Sequence, residues 1–138
     1  MPESNATALA AAVIMLDDDE TDAILARRCF RESGVDADFV WFDKPAHLFS
    51  HLESLTFTGS PKPLAILLDL NLFAMNGFQV LQIVRSMPAY SHEPPIIVLT
   101  HSSQEQDRER AVSLGANGFM TKPVSIETYV DFFKEKFA

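Results

Sequence analysis

An α/β protein built on a doubly wound parallel sheet is what this sequence predicts, on three observations. Short, fully apolar runs recur along the chain, segments with helical spacing of apolar residues stand between them, and no linker is long enough to divide the chain. Runs without polar residues suit strands covered on both faces. Strand–helix alternation with short connections implies right-handed crossovers and helices on both sides of one sheet. The chain has 138 residues, 47% of them apolar and 22% charged, which fits one folded domain and argues against disorder.

Residues 1–9 (MPESNATAL) read as a short polar tail, which leaves 10–138 as the domain. The first strand is the run VIML at 13–16. A helix follows over 21–33, by composition, and Gly34 is a natural stop. The second strand is FVWF at 39–42; Leu48, Phe49, Leu52 and Leu55 then fall at helical spacing. The third strand is LAILL at 64–68, followed by a helix with Phe78, Val80, Leu81 and Val84 on one face. The fourth is IIVL at 96–99, and the mostly polar helix after it, 104–114, stops at Gly115. That polar face predicts solvent exposure or a docking surface, exposure being preferred. A weaker fifth strand, GFMT at 118–121, precedes the clearest stripe in the chain: Ile126, Tyr129, Val130, Phe133 and Phe137.

Eleven Lys and Arg against nineteen Asp and Glu give a formal charge of −8. That disfavours direct contact with nucleic acid, which needs a basic face, and suits cations or a basic protein surface. A single cysteine, Cys29, excludes an internal disulfide and points to a reducing compartment. The longest apolar run, residues 8–16, is far below the roughly 20 that a bilayer needs. It has no basic residue before it and ends in four acids, unlike a signal peptide, so cytoplasm is the expected location.

In doubly wound sheets ligands bind beyond the carboxyl ends of the strands. There this sequence places Asp17, Asp18, Asp19 and Glu20 after the first strand, Asp69 after the third, Thr100 after the fourth and Lys122-Pro123 after the fifth. Acids after a strand ordinarily serve a helix N-terminus, and that reading is kept for Asp19 and Glu20, with Asp19 or Thr21 as the cap. It fails for Asp17 and Asp18 because chemically complementary groups occupy the same edge. Carboxylates gathered within about 4 Å repel by roughly 4 kcal/mol per pair at an effective dielectric near 20, so they must take up a proton or hold a cation. Oxygen donors without thiolates or histidines select Mg²⁺ over Zn²⁺. An ammonium and a hydroxyl opposite them would cradle a phosphoryl group, and an aspartate can accept one as an acyl phosphate.

The segments VIMLDDDETD, LAILLDLNLFAMNGFQVLQIVR and PPIIVLTHSSQEQDRERAVSLGANGFMTKPV, with the closing amphipathic helix, resemble the receiver domain of two-component response regulators. The resemblance covers nearly the whole chain after the tail. It implies a five-stranded (βα)5 flavodoxin-like fold with strand order 2-1-3-4-5. It implies Asp69 as phosphoacceptor, Asp18 as a direct Mg²⁺ ligand, Asp17 acting through water, and the backbone carbonyl of Asn71 as a further ligand; Mn²⁺ would also serve. Thr100 matches the switch hydroxyl and Lys122 the lysine that pairs with a phosphoryl oxygen. The Lys122-Pro123 bond is then expected to be cis. Gly77 matches the loop glycine, expected to supply backbone freedom, and Phe119 the aromatic whose rotamer reports activation, core packing being an equal reading. Asn71 and Ser102 flank the path of a hydrolytic water and would tune dephosphorylation. Two positions depart from the pattern. Phe73 stands where proline is usual, which exposes an aromatic, and His101 replaces a small residue beside Thr100.

The implied function is a stand-alone response regulator without an output domain. It would be phosphorylated by a sensor histidine kinase, of phytochrome type, or by a phosphotransfer protein. It would then bind a downstream protein target or form a homodimer, through the last helix, where Phe137 is expected to be exposed, or through the face of the fourth helix, fifth strand and fifth helix. Such a domain catalyses only its own phosphorylation and dephosphorylation. A haloacid-dehalogenase hydrolase would need a second Asp and a Thr where Asn71 and Phe73 stand. A phosphorylation-independent binding module would be expected to lack an acid or the lysine, and neither is missing. Of the remaining features, His47 and His51 read as a solvated helix face, Cys29 as core, and Trp41 with Phe39 and Phe42 as packing of the second strand.

Overall fold

The computed structural model describes residues 11–137; the polar tail expected at 1–9 lies outside them. The elements are β1 (Ala12–Leu16), α1 (Glu20–Glu32), β2 (Asp38–Phe42), α2 (Pro45–Thr58), β3 (Ala65–Asp69), α3 (Gly77–Ser86), a 3₁₀ turn (Pro88–Tyr90), β4 (Ile96–Thr100), α4 (Glu105–Ser113), β5 (Gly118–Thr121) and α5 (Ile126–Phe137). All strands pair in parallel, in the order β2-β1-β3-β4-β5. The order reverses at β1, which has β2 on one side and β3 on the other. The crevice beyond the ends of β1 and β3 is therefore the place where such a sheet leaves room for a ligand.

Strand residues alternate between two cores. Val13, Met15 and Leu67 pack with Ala23, Ala26 and Phe30 of α1 and with Tyr129 and Phe133 of α5. Ile14, Leu16, Ile66 and Leu68 face Leu48 and Leu52 of α2 and Val80, Leu81 and Val84 of α3. Both faces of the three central strands are covered, which is why their sequences carry no polar alternation. Each fully buried Leu, Ile or Val adds about 1.5–3 kcal/mol relative to exposure. The edge strands β2 and β5 are half-buried. Phe137 departs from expectation. It is half-buried, stacked on Phe133 one helical turn before it, edge-on to Phe132, and packed against the core that α1 and α5 share. Cys29 is wholly buried, and desolvation raises its thiol pKa. His51 is half-buried beside the Phe42 ring, not solvated, and burial lowers its pKa.

Helix ends follow local chemistry. Asp19 caps α1, accepting from the Thr21 amide at 2.9 Å, and Asn76 with Gln79 forms a capping box that starts α3. Gly34 and Gly115 take the positive φ that ends a helix, at 79° and 107°. Among the described residues no helix is long and apolar enough to cross a membrane.

Arg85 fastens the end of the sheet remote from the crevice. Its guanidinium donates to the carbonyls of Gly115, Tyr90 and Pro94 and to Asn117 Oδ1, at 2.9–3.0 Å, and Asn117 Oδ1 also accepts from the Ile96 amide. Gly115 is required there, since a Cβ would fall 2.8 Å from Arg85 Cγ. Arg85→Met keeps the stem but strands these acceptors. The expected loss is about 2 kcal/mol of unfolding free energy, read from urea denaturation; an unchanged midpoint would show that water replaces the guanidinium freely.

Candidate functional site

The ladder between β1 and β2 runs one residue past β1, where the Asp17 amide donates to the Phe42 carbonyl at 3.1 Å. The chain then turns sharply, with Asp17 Oδ1 accepting from the Asp19 amide at 2.9 Å. Asp17 is thereby driven inward and is wholly buried, while Asp18 faces the crevice and Oδ2 of its side chain accepts from the Phe73 amide at 2.9 Å. Asp69, the last residue of β3, is also buried, and its Oδ1 accepts from the Asn71 amide at 3.0 Å. One carboxylate oxygen from each of Asp17, Asp18 and Asp69 lies within 4.8 Å of the others.

Three carboxylates at that spacing repel by roughly 3 kcal/mol per pair at an effective dielectric near 20. One relief is built in. Lys122 Nζ donates to Asp17 Oδ2 at 2.7 Å and to Asp22 Oδ2 at 2.9 Å, and stands 3.6 Å from Asp69 Oδ2. Burial pulls the lysine pKa down, but the hydrogen bonds it donates to Asp17 and Asp22 and the neighbouring negative charges outweigh it. The amine is held above the ordinary lysine range and stays charged. Burial dominates at Asp17 and raises its pKa to about 6, against the lowering hydrogen bond from Lys122. At neutral pH both partners are ionised. A hard cation is the other relief, and the site fits one: the donors are all oxygens, two are buried, and the half-buried Asp18 opens onto a cleft. That cleft is also lined by Asp69, Asn71, Phe73, His101 and Lys122.

Thr100 is buried at the end of β4. Its hydroxyl donates to Asn71 Oδ1 at 3.4 Å and accepts from the Ser102 amide at 3.1 Å. Asp17, Asp18, Asp69, Asn71 and Lys122 thus meet, with Thr100 one hydrogen bond behind. The other predicted residues, Ser102, Pro123, Phe119 and Gly77, do not line the cleft itself. Ser102 Oγ accepts from the Gln104 amide. The Lys122-Pro123 peptide is cis. Phe119 is half-buried on β5 with Arg108 over its ring at 4.7 Å. Gly77 corrects one expectation. Its backbone needs no unusual φ; a Cβ would lie 2.5 Å from Leu70 Cα and 2.7 Å from the Asp69 carbonyl, so the requirement is close approach of α3 to the Asp69 loop. Phe73 is almost fully exposed, at 98%.

Two contributors were missed in the sequence. Asp22 reads there as an ordinary first-turn helix acid, and nothing in spacing reveals its bond to a lysine 100 residues away. Trp41 reads as packing, yet its Nε1 donates to the Asp17 carbonyl at 2.7 Å. The one tryptophan of the chain therefore reports on the acid turn. A saturable change in its emission is expected on titration with Mg²⁺, and none with Asp18→Ala; flat emission while calorimetry shows binding would disprove the coupling.

A family model described as the response regulator receiver domain matches residues 13–134. The chain is 31% identical over 116 residues to the probable methanogenesis regulatory protein FilR2 of Methanothrix harundinacea, covering 83% of this chain and 74% of that one. It is 28% identical to the response regulator Rcp1 of Synechocystis, over 88% of this chain and 81% of the other. The Mn²⁺-bound crystal structure of Rcp1 superposes with a TM-score of 0.72 at 27% identity over 90% of both chains. The phosphorylated cyanobacterial phytochrome response regulator RcpA superposes with a TM-score of 0.74 at 26% identity over 91% of both.

Proposed function

The chain belongs to the response regulator receiver domain family, and from that footing we propose that residues 10–138 form a receiver. It accepts a phosphoryl group on Asp69 from a phosphohistidine of a sensor histidine kinase or phosphotransfer protein, then switches its binding to a downstream protein. The observation that carries this reading is the meeting of Asp17, Asp18, Asp69 and Lys122 at one strand edge, two of the acids buried and the amine charged. Likeness to RcpA, a phytochrome response regulator, favours a phytochrome-type kinase as the source. A cytoplasmic site of action follows from such a donor.

Asp17, Asp18 and Asp69, with the Asn71 carbonyl, would hold Mg²⁺ or Mn²⁺. Held there, such an ion would supply positive charge against the phosphoryl oxygens and so assist in-line attack at phosphorus. The chain's own residues do the rest. A carboxylate oxygen of Asp69 attacks phosphorus, a P–O bond forms as the P–N bond breaks, and the imidazole leaves with the bonding pair and takes a proton from solvent. Lys122 shifts from its carboxylates toward a new phosphoryl oxygen. Thr100 gives up its long bond to Asn71 and donates to another, which draws the loop after β4 inward. Phe119 follows, and the face made by α4, β5 and α5 changes for a partner or a second copy of the chain. Gly77 and Pro123 shape the loops that carry Asp69 and Lys122. Asn71 and Ser102 border the approach of the water that hydrolyses the acyl phosphate and resets the switch.

The test is incubation with acetyl phosphate and Mg²⁺ followed by intact-mass measurement. One hydroxylamine-labile adduct is expected. An unlabelled protein would favour a binding module that works without phosphorylation.

A further inference from the structure

The Lys122 amine is bound by two carboxylates, and only one of them belongs to the acid trio. Asp22 Oδ2, in the first turn of α1, accepts at 2.9 Å, while Asp69 Oδ2 stands at 3.6 Å, beyond a hydrogen bond. We propose that Asp22 is a positioning residue that parks the Lys122 amine on the α1 side of the cleft, so that phosphoryl binding at Asp69 must take the amine away from it. The inference rests on the phosphoacceptor reading and adds a brake to it.

The geometry supports a restraint that yields. Lys122 has three N–H donors. The bond to Asp17 is wholly buried and has no competitor in solvent, whereas the Asp22 side chain is about one-third exposed, at 34%. A bond to an exposed carboxylate is worth less than its buried twin because water competes for both partners. Asp22 is thus the contact that breaks first when an anionic group arrives beside Asp69. Its charge is favoured where it stands, since the first turn of a helix attracts negative side chains. Asp22 also lines the cleft with Lys122 and Asp69, so the amine has a short path between the two positions.

Beryllofluoride with Mg²⁺, a mimic of the acyl phosphate, is the probe, with affinity read by fluorine NMR titration. Asp22→Asn keeps the size of the side chain but removes its charge. It is expected to bind beryllofluoride roughly five- to tenfold more tightly than the wild type, and Asp22→Glu, which restores a carboxylate, is expected to return affinity toward the wild-type value. The gain must vanish in a Lys122→Ala background, because the effect runs through the amine. A gain that persists without Lys122 would mean that Asp22 acts only through its field on the anion, and would overturn the proposal. So would unchanged or weaker binding by Asp22→Asn. If the wild type binds no beryllofluoride at all, the phosphoacceptor reading falls and takes this one with it. Normal wild-type binding with an inert Asp22→Asn overturns the brake alone.

Discussion

Asp69→Asn is expected to abolish labelling by acetyl phosphate completely, with the intact mass indistinguishable from the unreacted control. The substitution removes the anionic nucleophile and one negative charge of the cation site together. It leaves the shape in place: an Asn oxygen still accepts from the Asn71 amide as Asp69 Oδ1 does, and Lys122 retains Asp17 and Asp22 as partners. The variant should therefore fold, with thermal stability at least that of the wild type, so that lost labelling cannot be ascribed to unfolding. Residual hydroxylamine-labile adduct would place the acceptor elsewhere; Asp18 and Asp17 are the nearest alternatives. In Lys122→Ala the nucleophile remains, so the label should form more slowly but still form, which separates the acceptor from the group that assists it.

How much of this could be read from the chain depends on what set each feature. The five strands were legible because the central ones are buried on both faces and carry no polar residues to blur them. The ends of the helices were close because glycines at positive φ and a capping aspartate are local devices. Asp17, Asp69, Thr100 and Lys122 were legible because each follows a strand run directly, and a parallel sheet brings all such positions to one edge. What was missed turned on particular side-chain and backbone contacts. Gly77 resembles a flexible loop residue, yet what it answers is the backbone of Leu70 and Asp69 pressing against it. Phe137 ends an amphipathic stripe and looked exposed, but Phe132 and Phe133 cover part of it. The bonds of Trp41 to the Asp17 carbonyl and of Asp22 to Lys122 depend on how β2 and α1 dock on the acid turn, and no spacing encodes that.

Asp17→Asn is expected to stabilise the metal-free protein at neutral pH while destroying its response to Mg²⁺. The carboxyl is wholly buried, and desolvation raises its pKa from 3.8 to about 6 although Lys122 pulls the other way. The folded state therefore binds the proton more tightly than the unfolded chain does. The stabilisation from this one group is fully present below about 3.8, where both states are protonated, and is lost as pH rises through about 6, where the folded carboxyl ionises in place. Asn avoids that penalty while Lys122 keeps Asp22 as a charged partner, so the wild-type and variant curves should lie closest near pH 4 and separate in the variant's favour as pH rises through about 6. In the wild type, Mg²⁺ at a hundredfold excess over its dissociation constant restores about 2.7 kcal/mol; in the variant it should restore almost nothing. Urea unfolding across this pH range, with chelator or with Mg²⁺, measures all four curves. If metal-free Asp17→Asn is the less stable protein at pH 7, the bond to Lys122 outweighs burial and the acid trio is not a strained site awaiting a cation.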